Sequence, residues 1–256
     1  MTKWFVEPDS IVRRIWGDAD VVMLIFGAGA AEFALNRAVD WLFFTGAIPD
    51  DPLGRLFSTA AYTQDIIFAD EAQAQHTLAR IRAIHGAVEN ARGAQIPEWA
   101  HRDVLYMLID YSERVYSTLY RPLTAAEKTE LYNVFLRTGA GMHVADLPPD
   151  YASWQEDRVR HLEQDLVFSP HTADLYAAYR RDLGAWRYQL LRQVQAILVP
   201  TYVHRLLNLP RFTWLRPATT FYPLLARLGL RPLIRQTLIP TQYVDAVQNM
   251  DAAPQH

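Results

Sequence analysis

The stretch VVMLIFGAGAAE, residues 21–32, decides the fold class. Read as an apolar strand running into Gly27-x-Gly29, it would open a dinucleotide-binding unit and make the chain α/β. That reading needs a third glycine where the chain has Glu32, whose carboxylate would repel a pyrophosphate. It also needs a βαβ rhythm that does not follow. Read as a helix, the same region places Gly27, Ala31, Ala34 and Ala38 at spacings of four and three. They form one stripe of small residues along which a neighbour can approach closely. The neighbour is a second helix or a flat cofactor, and spacing alone leaves both open.

Outward from this stretch the helical signals agree with one another. Asp18 or Asp20 can cap a helix that runs to about Phe44. Asp51 followed by Pro52 is a cap with its first-turn proline, opening a helix to about Phe68. Asp70 caps a third, which Gly93 stops. A fourth spans about Glu98 to Tyr120 and ends before Pro122. Thr124 and Glu127 form a capping box for a fifth, which ends near Gly139. Later helices start near Asp150 and at Ser169-Pro170, the second of them long and ending before Pro200. Short pieces cut by Pro210, Pro217, Pro223, Pro232 and Pro240 follow. No stretch alternates apolar and polar residues between turn signals, and no linker or repeat divides the chain. The expectation is an all-α fold, one multi-helix domain over residues 1–256 enclosing an apolar pocket. Residues 201–256 form an arginine-rich wrap.

Composition narrows the function. Half of the 256 residues are hydrophobic and 21% are charged, enough for a sizeable core. The net charge of -3 gives no general attraction to nucleic acid. Cysteine is absent, which removes disulfides, thiolate metal sites and a thiol nucleophile. The opening MTKWFVEPDS lacks the pattern of a secretory signal. The uncharged apolar run Val21–Ala31 is far short of the roughly 20 residues that span a bilayer, so a cytoplasmic location is expected. Charge is nevertheless uneven: from Leu183 to Val244 there is no Asp or Glu, but there are the arginines 187, 192, 205, 211, 216, 227, 231 and 235. With Trp214, Phe221 and Tyr222 among its leucines, residues 183–244 suit peripheral contact with an anionic membrane or a wrap with its arginines in water.

Few residues suggest chemistry. Glu98-x-x-His101 is half of a di-iron carboxylate signature whose second half is missing. Neither His-Glu-x-x-His nor Gly-x-Ser-x-Gly occurs. His85 falls in the stripe Leu78, Ile81, His85, Val88, which puts an imidazole on an apolar helix face. There it is a core histidine bonded to a carbonyl or an iron ligand. Arg55 and Thr59 lie one turn apart in a helix whose first turn opposes a positive charge. Arg55 is a surface arginine, or it is compensated by a carboxylate, a propionate or bound dioxygen.

Taken in order, Asp51-Pro52-Leu53-Gly54-Arg55-Leu56 with Thr59, Ile67-Phe68, and Ala79-Arg80-Ile81-Arg82-Ala83-Ile84-His85-Gly86-Ala87-Val88 resemble the MpaB-type oxygenase family, which includes the rubber oxygenases. The likeness continues through Asp110, Tyr120-Arg121-Pro122-Leu123-Thr124-Ala125-Ala126-Glu127, Arg137-x-Gly139 and Leu147-Pro148, covering about residues 15–200. The resemblance implies an all-α fold holding haem b through a proximal histidine, here His85. It implies Arg55 and Thr59 around the haem, Gly27 and Ala31 lining the haem or substrate channel, and oxygen-dependent attack on a hydrophobic, isoprenoid-like substrate. The chain departs from the pattern at Ser58, where rubber oxygenases have a lysine, at Val39-Asp40, where they have a carboxylate or relatives have His-Pro, and at Leu105, where relatives have a histidine. Glu32, Asp40 and Asp110 are the candidate replacement bases. Two other readings stand beside this one. One is a carrier of an apolar ligand on the same fold; the other is a non-haem metal oxidoreductase using His85 with Glu98, His101 or Asp110.

Overall fold

Ser10 accepts a hydrogen bond from the Val12 N–H at 3.0 Å and opens a short helix, α1 (Ile11–Trp16). Asp18 does the same for Asp20 and opens α2 (Ala19–Leu35), which contains the decisive stretch. These positions come from a computed structural model that describes residues 3–44, 50–229, 231, 235 and 243–251. The order continues with α3 (Asp40–Phe44), α4 (Pro52–Ile67), α5 (Glu71–Arg92), α6 (Glu98–Leu119), α7 (Ala125–Gly141), α8 (Tyr151–Gln164), α9 (Pro170–Leu198), α10 (Thr201–Leu206), α11 (Arg216–Arg227) and α12 (Val244–Asp251). Among the described residues there is no strand, only isolated bridges at Trp4–Asp70 and Asn36–Leu166. The fold is all-α.

The expected caps are present. Asp51, Asp70, Thr124, Asp150 and Ser169 each accept from a backbone N–H of the first turn, and Thr124 closes its box with Glu127. Gly93 takes the left-handed conformation at φ 69° and ends α5. Four expectations need correction. The helix from Asp18 does not run to Phe44: Asn36 turns to ψ 132°, its Oδ1 accepting from the Ala38 N–H at 2.9 Å, so Ala38 lies outside α2. The helix α1 precedes the expected start. The long helix α9 breaks at Gly184, whose φ of 72° and ψ of 167° are open to glycine and strained for any other residue. Pro223 sits inside α11 and does not cut it. Pro232 and Pro240 lie outside the described residues.

The helix α2 is the hub, packing chiefly on α6 and α9. Val21, Val22, Ile25, Ala28, Ala30, Ala31, Ala34 and Leu35 are all buried, on every side of the helix rather than in one stripe. A helix apolar all round belongs inside a larger protein. The helix α9 lies against this surface: a Cβ on Gly27 would be in ordinary van der Waals contact with Leu191 at 3.6 Å. Tyr179 and Thr172 of α9 reach the carbonyls of Ala30 and Ala34.

Near its C-terminal end α2 buries a charge as well. Glu32 receives both terminal nitrogens of Arg158 from α8 at 2.6 Å each and the Tyr111 hydroxyl at 3.0 Å. Arg158 also meets Asp110 of α6, its Nη2 at 3.0 Å and its Nε at 3.2 Å, and Arg114 neutralises the other Asp110 oxygen at 2.6 Å. Burial works against the Arg158 charge, but the two carboxylates outweigh it and hold its pKa above the ordinary arginine value. Burial pushes the Glu32 carboxyl up, opposed by Arg158.

The network yields a directional prediction. Arg158→Met leaves Glu32 buried with no counter-charge and Asp110 with Arg114 alone, at an expected loss of about 3–5 kcal/mol. Urea unfolding of Arg158→Met should show a lower midpoint at unchanged slope, whereas a midpoint equal to wild type would mean that water already reaches these carboxylates.

Candidate functional site

The antiparallel pair α4–α5 brings together three residues singled out by sequence. His85 lies on the second half of α5, and Arg55 on α4 is close enough for its positive charge to disfavour protonation of the imidazole. Thr59 sits one turn beyond Arg55, its hydroxyl donating to the Arg55 carbonyl at 3.1 Å. That bond uses the hydroxyl proton and leaves Thr59 Oγ1 with lone pairs to offer. Ser58, at the position of the rubber oxygenase lysine, likewise donates to the Arg55 carbonyl at 2.9 Å.

His85 is half-buried and its pKa is lowered to about 4, by burial first, then by His101 and Arg55, with Glu89 opposing. The imidazole is therefore neutral at ordinary pH, the form that ligates a metal. His101, which belongs to an incomplete motif and is also one of the partners of His85 in the non-haem alternative, stands beside it. From α6 its ring lies 5.2 Å from that of His85, tilted by 34°. Burial lowers its pKa as well, against the nearby carboxylates of Glu98 and Glu89. Among the described residues no carbonyl or side chain takes a hydrogen bond from either nitrogen of His85, and no carboxylate pairs with Arg55. Buried polar groups ordinarily find partners, so both residues have bonding capacity to spare.

The surroundings are apolar and thinly packed. From Ala79 to Arg92 no residue of α5 is fully buried, and Gly54 to Thr59 of α4 are all half-buried. Ile81, Ile84, Val88, Leu56 and Phe57 are thus only partly covered. A Cβ built on Gly86, beside His85, would meet nothing within 4 Å. A neutral imidazole, an unpaired guanidinium and half-covered aliphatic side chains are the chemistry that a flat apolar group with peripheral carboxylates needs, so the residues present fit haem.

Other predicted residues go elsewhere. Gly27 faces α9, its carbonyl accepting from Gln195 at 3.1 Å, and Ala31 is buried in the core. The three candidate bases are all committed to arginines: Glu32 and Asp110 to Arg158, and Asp40 to Arg92 at 2.6 Å. Leu105, at the position of a relative's histidine, lies against Gly139, where a Cβ would come within 2.7 Å of it. An open groove of about 720 Å³ runs beside Ser10, Thr129, Glu130 and Arg137, and none of the predicted site residues lines it.

A second polar cluster was not anticipated. His161 Nδ1 lies 2.6 Å from Asp103 Oδ1 and 2.9 Å from Asp165 Oδ2, while Asn36 donates to the other Asp103 oxygen at 2.6 Å. One nitrogen thus faces two carboxylates, and these three side chains are near enough to one another to hold a cation. The only local signal in the sequence is the four-residue spacing of His161 and Asp165; Asp103 arrives from another helix.

A family model described as ER-bound oxygenase mpaB/B'/Rubber oxygenase, catalytic domain, matches residues 13–230. The chain belongs to this family. The match reaches beyond the expected end near residue 200, through α10 and α11. Among curated proteins and among solved structures, none matches the chain. Membership in an oxygenase family makes dioxygen and a substrate the partners of this domain, with a metal or haem as its cofactor. No helix of the described residues is long and apolar enough to cross a membrane.

The second cluster carries its own prediction. Asp103→Leu strips the Asn36 amide and the His161 ring of their shared partner, at an expected loss of about 1–3 kcal/mol. A thermal melt checks it; no change would mean that water or Asp165 replaces the carboxylate.

Proposed function

We propose that this domain is a haem b-dependent oxygenase acting with dioxygen on a hydrophobic, isoprenoid-like substrate. The observation that carries the reading is His85: neutral, half-buried, without a hydrogen-bond partner among the described residues, and beside the unpaired Arg55. In this reading His85 would hold the iron, and Arg55 would meet the carboxylates of the porphyrin or the oxygen side of the site. When bound, haem supplies iron that binds and activates dioxygen.

The chain's own residues do the rest. Thr59 Oγ1, its proton given to the Arg55 carbonyl, accepts a hydrogen bond. His101, next to His85 and flanked by Glu98 and Glu89, takes over the proton exchange that the arginine-bound Glu32, Asp40 and Asp110 cannot provide. The half-covered aliphatic side chains of α4 and α5 exclude water and receive the apolar substrate. Gly27 and Ala31 contribute by letting α9 close over α2, which keeps the hub rigid behind the site. Residues 1–256 act as one domain with a cytoplasmic location, and the apolar substrate gives a reason for peripheral membrane contact through residues 183–244.

A second reading is favoured by the Asp103–His161–Asp165 cluster: a non-haem metal oxidoreductase. Two carboxylates and an imidazole suit a first-row divalent metal. Iron without a porphyrin absorption band would select it over haem.

Purification from haem-supplemented cells, followed by an ultraviolet–visible spectrum and a pyridine haemochrome assay, tests the main reading. A Soret band with about one haem per chain is expected, and a folded, colourless and iron-free protein after haem addition would sink it. His85→Ala should abolish the band while far-UV circular dichroism stays unchanged; a retained haem spectrum would make the ligand assignment wrong. Arg55→Ala should lower oxygen binding or turnover by about 10-fold or more, the scale of losing one charge-assisted contact, with little change in melting temperature. The reverse pattern would make Arg55 structural.

A further inference from the structure

The exposed large apolar residues of this protein concentrate in one segment. Trp186, Phe212, Trp214, Phe221, Leu224 and Leu228 are all exposed, Phe212 at 80% and Leu228 at 64%. They fall within a span that has no acidic residue. Phe221, Leu224 and Leu228, with Pro217 before them, stand at spacings of four, three and four. On α11 and its final turn that spacing makes a single stripe, and all four point to solvent.

A surface helix ordinarily turns its apolar face inward. Here the opposite face is the one tied to the protein. Tyr222 donates to Asp20 at 2.5 Å, and Tyr222 and Tyr120 pack edge to face at 6.0 Å. Next along the chain, Arg231 meets Asp18 at 3.2 Å and Arg235 bonds Asp20 and Asp251. On the other side, Trp214 stacks on Trp186 of α9 at 6.1 Å and 20°, and its backbone N–H donates to Gln193 Oε1 at 3.1 Å. Polar anchors therefore hold the segment in place while its apolar stripe faces away from the core.

The charges complete the pattern. Arg231 and Arg235 are used inward. Arg205, Arg211, Arg216 and Arg227 are exposed and have no carboxylate partner among the described residues. Apolar side chains with two tryptophans, rimmed by unpaired arginines, match the depth profile of a leaflet: acyl boundary, then interfacial aromatics, then anionic headgroups.

We propose that the outer face of α11, with Trp186, Phe212 and Trp214, is a docking surface for an anionic lipid bilayer. The protein lies on the membrane with α11 parallel to its plane, Phe221, Leu224 and Leu228 in the acyl boundary and Arg211, Arg216 and Arg227 among the headgroups. This proposal is independent of which metal or porphyrin the oxygenase site holds.

Flotation of the full-length protein with vesicles tests it, using phosphatidylcholine alone and phosphatidylcholine with phosphatidylserine. Binding to the anionic vesicles is expected, with a blue shift of tryptophan emission and a decline as salt rises. One arginine near such a surface multiplies partitioning about fivefold, so Arg211→Gln/Arg216→Gln/Arg227→Gln should weaken binding by roughly 100-fold. Phe221 and Leu224 are more than half exposed, so Phe221→Ser/Leu224→Ser should weaken binding at least tenfold with little change in melting temperature. No flotation with the anionic vesicles, equal flotation with the neutral ones, or binding that survives both variants would overturn the proposal. So would a concentration-dependent dimer in sedimentation that Phe221→Ser/Leu224→Ser abolishes, since the face would then belong to a second copy of the chain.

Discussion

The guanidinium of Arg158, held between Glu32 and Asp110, is the constraint around which the helices are arranged. Glu32 is the acid that ends an otherwise apolar stretch, in the last turn of α2, and burying it alone would be prohibitive. Arg158 comes from α8, Asp110 and Tyr111 from α6, so three helices must arrive at one rotation and one height. Turning α2 by a single residue would swing Glu32 about 100° from its partner while changing little in the apolar contacts of Ala28, Ala31 and Ala34. The ion network therefore specifies a register that small apolar residues leave loose, a role buried charges serve better than that of raising stability.

Much of this was legible from local chemistry. The caps at Asp51, Asp70, Thr124, Asp150 and Ser169 were readable because a cap is a bond between near neighbours. What escaped reading depends on distant partners. Asn36 ends α2 with one amide atom on Ala38 and the other on Asp103, and only the second, cross-helix bond explains why an asparagine stands there. Gly184 looks in sequence like a glycine tolerated in a helix; its left-handed break shows only in the backbone. The stripe at Gly27 admitted two neighbours, and the neighbour beside Gly27 is α9.

The candidate site follows the same division. The position of His85 on an apolar face was visible in helical spacing, and Arg55 with Thr59 followed from a single turn of α4. His101 is readable only as one of three possible partners of His85, and choosing it depends on how α5 and α6 pack. Asp103, His161 and Asp165 gather from two helices and a cap that share no motif. Among the described residues the polar centre at Arg158 is fully neutralised, whereas the side chains of His85 and Arg55 have no hydrogen-bonded or ion-paired partner. The first is architecture by virtue of being closed, and the second has the openness that the proposed site requires.

The ties from Arg231 and Arg235 to the start of α2 have a consequence for the order of assembly. Asp20 leaves the ribosome 215 residues ahead of Arg235, an interval of about 10–40 s at roughly 5–20 residues per second. Until then its carboxylate keeps its hydration shell, and the first turn of the hub helix has no counter-charge against which to dehydrate. The C-terminal end of α2 can dock on α6 as soon as α8 delivers Arg158 to Glu32, but its N-terminal end waits for the wrap. Birth of the protein is therefore staged, with the hub closing from its C-terminal end backward and the arginine-rich segment serving as the last clasp.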